Sequence, residues 1–135
     1  MTAPVSSLVL PVGGEWHAVP MASVREVLPL PVLTPVPASP PWLAGLANVR
    51  GEILAAVDTG AALGRAGGRW AATHLVVVDA ALGPVALLTA GIPEAAELDE
   101  CQGEGLAPGS NGRFAFGDRV ATLLDVDGLT GAAVS

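Results

Sequence analysis

The chain has 135 residues, a formal net charge of −7 and no lysine, since all six basic residues are arginines. Apolar residues make up 51% and charged residues 14%, a balance that excludes intrinsic disorder and favours one folded domain. The acidic balance disfavours nucleic acid and anionic membranes as partners, because both require clustered basic charge. The absence of lysine excludes P-loop and Schiff-base chemistry.

The first elements predicted along the chain are short strands and tight turns. Residues 7–21 (SLVLPVGGEWHAVPM) predict a hairpin, whose glycine pair at 13 and 14 can adopt the positive φ angles of a tight turn. Residues 23–28 (SVREVL) predict a short helical turn or a strand end. The next segment, residues 29–42, carries six of the twelve prolines and must be extended, because proline fixes φ.

The remaining segments predict more strand pairs. Residues 46–58 (LANVRGEILAAVD) predict two strands around Arg50-Gly51, followed by a loop with one helical turn. Residues 73–90 predict a second hairpin, because turn residues interrupt a run that would otherwise be long enough for a membrane helix. Residues 97–113 predict a polar, glycine-rich loop, and residues 114–129 predict a final hairpin.

The two halves of the chain resemble each other at one fixed offset. Leu75 lies as far along the chain after Leu8 as Asp125 lies after Asp58. We therefore predict a single domain over 1–135, with one barrel-like half at about 5–66 and another at about 72–130, packed together as two small β-barrels. Chance similarity in a chain rich in alanine, valine and leucine is the alternative.

Catalytic motifs are missing from the sequence, so an enzyme is the least favoured class. Neither a nucleophile elbow, a His-Glu-x-x-His motif nor a Cys-x-x-Cys motif occurs, and we expect no cofactor and no metal site. His17 shares a predicted strand face with Val19 and is expected to be a hydrogen-bonded structural residue. A pocket that brought His17, His74 and a carboxylate together would favour an enzyme. Asp58 and Asp125 are expected to accept backbone N–H bonds in the turns that follow them.

Arg50 is the residue that most needs an explanation, because arginine is costly to bury in an apolar segment without a partner. One interpretation is a buried ion pair with Asp58 or Glu52. The other is a guanidinium displayed to a carboxylate of a partner protein, a role in which arginine is enriched. At the offset of the repeat Arg50 has no counterpart, since position 117 is Gly117, and this asymmetry favours the partner-facing interpretation.

The segment 45–64 (GLANVRGEILAAVDTGAALG) resembles the signature of CheW-like domains, in which a glycine precedes an Asn-x-Arg-Gly turn, a strand and an aspartate. Residues 7–28 resemble the opening hairpin of that family and its Val-x-Glu-[Val/Ile] element, and residues 116–129 resemble its closing strand. The resemblance extends from Ser7 to Leu129. The matching signature residues are Gly45, Asn48, Arg50, Gly51, Ile53 and Asp58.

The resemblance implies an all-β fold of two packed five-stranded SH3-like barrels that share a hydrophobic core. It implies a non-enzymatic, cytoplasmic adaptor that couples the cytoplasmic tip of a methyl-accepting chemoreceptor to the regulatory domain of a CheA-type histidine kinase, without membrane insertion. Arg50 matches an arginine implicated in receptor-array coupling. The resemblance places the partner-binding surface at Arg50, Val24, Glu26, Gly45, Asn48 and Gly51.

Some residues depart from the family pattern. The family's Pro-Val-Ile-Asp-Leu is replaced by Ala55-Ala56-Val57-Asp58-Thr59, and Thr89-Ala90 stand where the second half usually carries Val-Asp. These changes raise the question of whether the partner surfaces are intact. A chemosensory adaptor for pilus motility fits as well as one for flagella. A small β-barrel that binds an unrelated peptide or ligand is the other alternative, with Pro37 to Pro40 as a P-x-x-P docking motif.

Overall fold

The computed structural model describes residues 5–64, 70–81, 83–98, 101–103, 110–116 and 119–127. Within these ranges the chain forms eleven strands, a short 3₁₀ turn at Met21–Ser23 and the α-helix α1 at Thr59–Ala62, and Val126 and Asp127 are also helical. The strands are β1 Val5–Val12, β2 Glu15–Pro20, β3 Val24–Pro29, β4 Leu43–Val49, β5 Glu52–Val57, β6 His74–Ala80, β7 Gly83–Thr89, β8 Glu94–Leu98, β9 Cys101–Gly103, β10 Ser110–Phe116 and β11 Arg119–Leu124.

The strands form two sheets. One sheet has six strands in the order β8-β1-β2-β11-β10-β9, and the other has five in the order β3-β6-β7-β5-β4. The five-stranded sheet curls until the chain after β3 meets β4, where Thr34 and Leu46 exchange two backbone hydrogen bonds of 2.9 and 2.8 Å. The predicted all-β fold of two packed barrel-like units is confirmed, and the three-residue β9 adds a sixth strand to one of them.

Each sheet combines strands from both halves of the sequence. The β1–β2 hairpin pairs with β8 on one side and with β11 on the other, while the β6–β7 hairpin lies between β3 and β5. The repeat is clear in the strand positions, since β10 and β11 begin after β4 and β5, respectively, at the offset seen in the sequence. The division of the domain into halves at about 5–66 and 72–130 stays a prediction, and the two sheets do not follow it, because the two hairpins are exchanged between them.

Alternation along the strands divides the apolar side chains among three clusters. In β6, Leu75 and Val77 face the interior of the five-stranded barrel, while Val76 and Val78 face a core shared with the other sheet. In β1, Leu8 and Leu10 face the same shared core. A third cluster, which includes Val9, fills the six-stranded barrel. The run of apolar residues in β6 is thus explained by a strand that is buried on both faces.

The predicted hairpins of residues 7–21, 46–58, 73–90 and 114–129 are all present, although the last begins earlier, at Ser110. The predicted loop at 97–113 is wrong in part, because it contains the end of β8, all of β9 and the beginning of β10. These strands are short and polar, and backbone pairing with neighbouring strands holds them in place. In the described part of the chain, no helix has the length and apolarity that a membrane span requires.

Candidate functional site

The β4–β5 hairpin closes through a two-residue turn at Arg50 and Gly51. Val49 pairs with Glu52 across the turn, and both turn residues have positive φ, +52° for Arg50 and +87° for Gly51. Two positive φ angles are typical of a type I′ turn, which matches the twist of the strands and favours Asn-Gly. The Asn48 side chain stabilises this turn, since its Oδ1 accepts a 2.9 Å hydrogen bond from the Gly51 N–H. Arginine is thus an unfavourable residue at the first turn position.

The Arg50 side chain is displayed at the surface. It is 81% exposed, and its Nη1 donates to Oε2 of Glu26 at 2.6 Å, while the Glu26 side chain is only 25% exposed. The buried pair with Asp58 or Glu52 is therefore wrong. Asp58 instead caps α1, because its Oδ1 accepts from the Ala61 N–H at 3.1 Å, and this confirms the role predicted for it. The same role for Asp125 stays a prediction.

A second arginine, Arg25 on β3, forms ion pairs in the same region of the barrel. The Nε of Arg25 lies 2.9 Å from Oδ1 of Asp79 on β6, and its Nη1 lies 3.6 Å from Oε1 of Glu52 on β5. Arg25 lies at a β-bulge, since the pairing of β3 with β6 slips by one residue between Val24 and Glu26. Together, the ion pairs of the two arginines connect β3 with β6, with β5 and with the β4–β5 turn.

These ion pairs surround an open depression of about 260 Å³, which we name the Arg50 cleft. Its floor is apolar and consists of Val49, Leu54 and Val77, all buried. Charged side chains form its rim, and these are Arg25, Glu26, Arg50 and Glu52. An apolar floor within a charged rim suits an apolar side chain of a protein partner whose neighbours carry charges.

The structure brings four of the six predicted partner-binding residues together. Arg50 and Glu26 contact each other, while Asn48 and Gly51 shape the turn that carries Arg50. Val24 and Gly45 are not among the described lining residues of the cleft. Val24 packs against the shared core.

Gly45 is buried in β4, where an added Cβ would lie 2.9 Å from the Thr34 carbonyl oxygen. Glycine at this position therefore allows the backbone of β4 to lie close to the backbone at Thr34. Sequence reasoning missed Arg25 and Glu52 as rim residues. The adjacent charged residues Arg25 and Glu26 within the apolar segment VREVL were the available signal for Arg25.

His17 is hydrogen-bonded on both ring nitrogens, which confirms its structural role. It is 0% exposed, its Nδ1 lies 2.6 Å from Oγ1 of Thr59, and its Nε2 lies 3.1 Å from Oε2 of Glu15. A hydroxyl, an imidazole and a carboxylate in series are also the parts of a hydrolytic triad. However, Thr59 is 1% exposed, so its hydroxyl is closed off from solvent in this structure.

His74 bonds to Thr73 instead, with 2.8 Å between Thr73 Oγ1 and His74 Nδ1. Among the described residues, no group of three or more histidine, cysteine, aspartate or glutamate side chains is placed to hold a metal ion. The described side-chain partners of His17 and His74 are thus different residues, Thr59 and Glu15 for His17 and Thr73 for His74.

Comparison with known proteins identifies the family, because residues 6–134 match the CheW-like domain. The chain belongs to the CheW-like domain family. The fold of this CheW-like domain is similar to that of the scaffolding protein TtCheW from Thermoanaerobacter tengcongensis, with a TM-score of 0.80 and 18% identity, over 94% of this chain and 92% of that one.

A shorter similarity joins the CheW-like domain to Protein PilI of Pseudomonas aeruginosa. The two sequences are 44% identical over 46 residues, which span 34% of this chain and only 26% of PilI.

Most departures from the family pattern lie inside the protein. Thr59 and Thr89 are buried and hydrogen-bonded, and Ala56 is fully buried in the five-stranded barrel. Ala55 and Ala90 are half-buried. These alanines and threonines thus alter internal packing. None of them is among the described residues that line the Arg50 cleft.

Proposed function

We propose that this CheW-like domain is a non-enzymatic adaptor that couples chemoreceptors to a CheA-type histidine kinase. The observation that carries the proposal is Arg50, an exposed arginine held in a turn whose positive φ disfavours it. A residue kept in an unfavourable backbone conformation at an exposed position indicates selection for function. Membership of the CheW-like domain family supplies the kind of function.

In this proposal the Arg50 cleft is a contact surface for a protein partner. The guanidinium has five N–H donors, and its bond to Glu26 through Nη1 leaves other donors for a carboxylate of the partner. Glu26 then orients the side chain. The partners are the regulatory domain of the kinase and the cytoplasmic tip of a methyl-accepting receptor, and the adaptor works in the cytoplasm where these meet.

The output of the pathway is proposed to be pilus motility. The 46-residue match with a protein named PilI favours this variant over flagellar chemotaxis. Deletion of the gene should then impair surface motility and leave swimming intact, and the reverse result would favour flagellar chemotaxis.

The alternative of a P-x-x-P docking motif is disfavoured by the backbone. Ala38 has a φ of +56°, whereas a polyproline II helix requires φ near −75° throughout. The segment from Pro37 to Pro40 therefore does not present the helix that proline-recognition domains bind.

The test of the proposed function is Arg50→Glu in a reconstituted receptor, kinase and adaptor assay. We expect a circular dichroism spectrum like that of the wild type and loss of receptor-dependent kinase control. Arg113→Glu is the matched control, since Arg113 is an exposed arginine on β10 in the other sheet. Unchanged kinase control in a folded Arg50→Glu protein would refute the proposal, and unfolding would show that Arg50 is structural.

A further inference from the structure

The two sheets are joined by apolar contact and by a small set of buried polar bonds. The shared core supplies the apolar contact, with side chains such as Leu10 from one sheet and Leu87 from the other. Apolar burial is non-directional, so it favours contact between the sheets more than one mutual orientation. Hydrogen bonds depend on distance and angle, and polar bonds across the same junction restrict that orientation.

Thr59 provides the first of these polar bonds. It is the first residue of α1, directly after β5 of the five-stranded sheet, whereas His17 lies on β2 of the six-stranded sheet. With the Glu15 carboxylate accepting from His17 Nε2–H, a ring in its neutral form accepts the Thr59 hydroxyl proton at Nδ1. Neither Thr59 nor His17 can exchange this bond for water, since both are buried.

Thr89 provides the second link, at the end of β7. Its Oγ1 lies 3.2 Å from the Pro11 carbonyl oxygen of β1 and 3.3 Å from that of Gly91, so one hydroxyl proton is shared between these two acceptors. The Ala90 N–H donates to the same Pro11 oxygen at 2.8 Å. β5 and β7 are parallel neighbours. Thr59, which follows β5, and Thr89, which ends β7, therefore lie at the same end of these two strands. Both contact the β1–β2 hairpin of the other sheet.

We propose that the bonds of Thr59 to His17 and of Thr89 and Ala90 to Pro11 form a polar lock, which holds the two barrels in one orientation and so positions the surfaces of the adaptor relative to each other. A fully satisfied buried polar network rigidifies and specifies a unique core. Thr59 and Thr89 are positioning residues in this proposal. Its consequence for partner binding rests on the proposed function, while its consequence for the junction does not.

The test is hydrogen exchange of the Ala90 amide, which bridges the two sheets. Thr59→Val keeps the shape of the side chain but leaves His17 without its hydroxyl partner, so we expect the Ala90 amide to exchange about tenfold faster or more. The amides of Val77 and Ala86, which lie in the ladder between β6 and β7, should change far less. Thr59→Ser, which restores the hydroxyl, should restore slow exchange.

Ser6→Ala is the control, because it removes an exposed hydrogen bond, from Ser6 Oγ to Glu97 Oε1, at the far end of β1 from Pro11. It should leave Ala90 exchange unchanged. Equal acceleration at Ala90, Val77 and Ala86 in Thr59→Val would overturn the lock, because it would show a general loss of stability. Unchanged exchange at Ala90 would overturn it as well.

Kinase-domain binding is measured on the same variants. We expect Thr59→Val to weaken binding and Thr59→Ser to recover it. If the wild type does not bind the kinase domain, the proposed function fails, and the exchange experiment still decides the lock. If the wild type binds and Thr59→Val binds equally well despite faster Ala90 exchange, the lock does not position the partner surface, and that part of the proposal is overturned.

Discussion

Replacing Arg50 by asparagine should separate the stability of the β4–β5 turn from its function. Arg50 has a φ of +52° and precedes Gly51 at +87°. A left-handed conformation costs an ordinary residue about 1–2 kcal/mol, whereas asparagine adopts it readily and Asn-Gly is a preferred type I′ sequence. Arg50→Asn therefore removes about 1 kcal/mol of backbone strain.

The substitution also removes the ion pair with Glu26. Because Arg50 is 81% exposed, solvent screens this pair, and exposed pairs contribute about 0.2–1 kcal/mol. The two effects oppose each other. The free energy of unfolding of Arg50→Asn should therefore equal that of the wild type or exceed it by up to about 1 kcal/mol. An increase of this size raises the melting temperature of a domain this long by about 4 °C at most. Kinase coupling should nevertheless be lost.

Urea unfolding of the wild type, Arg50→Asn and Glu26→Gln would test the reasoning. Glu26→Gln removes the ion pair and leaves the turn unchanged, so its loss of stability measures the pair alone, at under about 1 kcal/mol. A loss of more than about 1 kcal/mol in Arg50→Asn would refute the account, because the ion pair would then outweigh the strain. Retained coupling in Arg50→Asn would show that the guanidinium does not contact a partner.

Three further substitutions test the backbone arrangement by urea unfolding and circular dichroism. Gly45→Ala places a Cβ 2.9 Å from the carbonyl oxygen of Thr34 and should cost more than about 2 kcal/mol, as overpacking does. Gly51→Ala meets no atom within 4 Å, so only its positive φ opposes it, at about 1 kcal/mol; an equal cost for the two glycines would contradict this. Asp58→Ala removes the cap of α1 and should cost about 1 kcal/mol, while Asp58→Asn should cost much less.

The sequence was informative where structure depends on neighbouring residues. Turn chemistry predicted the hairpins at Gly13-Gly14 and Arg50-Gly51, and both turns have positive φ angles. The common offset of Leu8 from Leu75 and of Asp58 from Asp125 predicted the repeat, which the starts of β10 and β11 reproduce. The cap at Asp58 was likewise predictable, because the side chain bonds to a residue only three positions away.

Contacts between distant segments were not predictable in the same way. The partner of Arg50 is Glu26, and only the curling of the five-stranded sheet brings these two residues together. β8 has the sequence EAAEL, which has low strand propensity, and it forms a strand because β1 offers it a backbone ladder. The exchange of the two hairpins is likewise invisible in local patterns, since it depends on which strands pair across the whole chain.

The exchange of hairpins also sets an order of events during synthesis. The β1–β2 hairpin leaves the ribosome before its sheet partners β8 and β11, and the last of these ends at Leu124. Until residues 119–124 have been translated, Leu8 and Val19 have no completed core to enter. The nascent chain must therefore carry an apolar hairpin through most of its translation, and chaperone binding at this hairpin is the expected way to protect it.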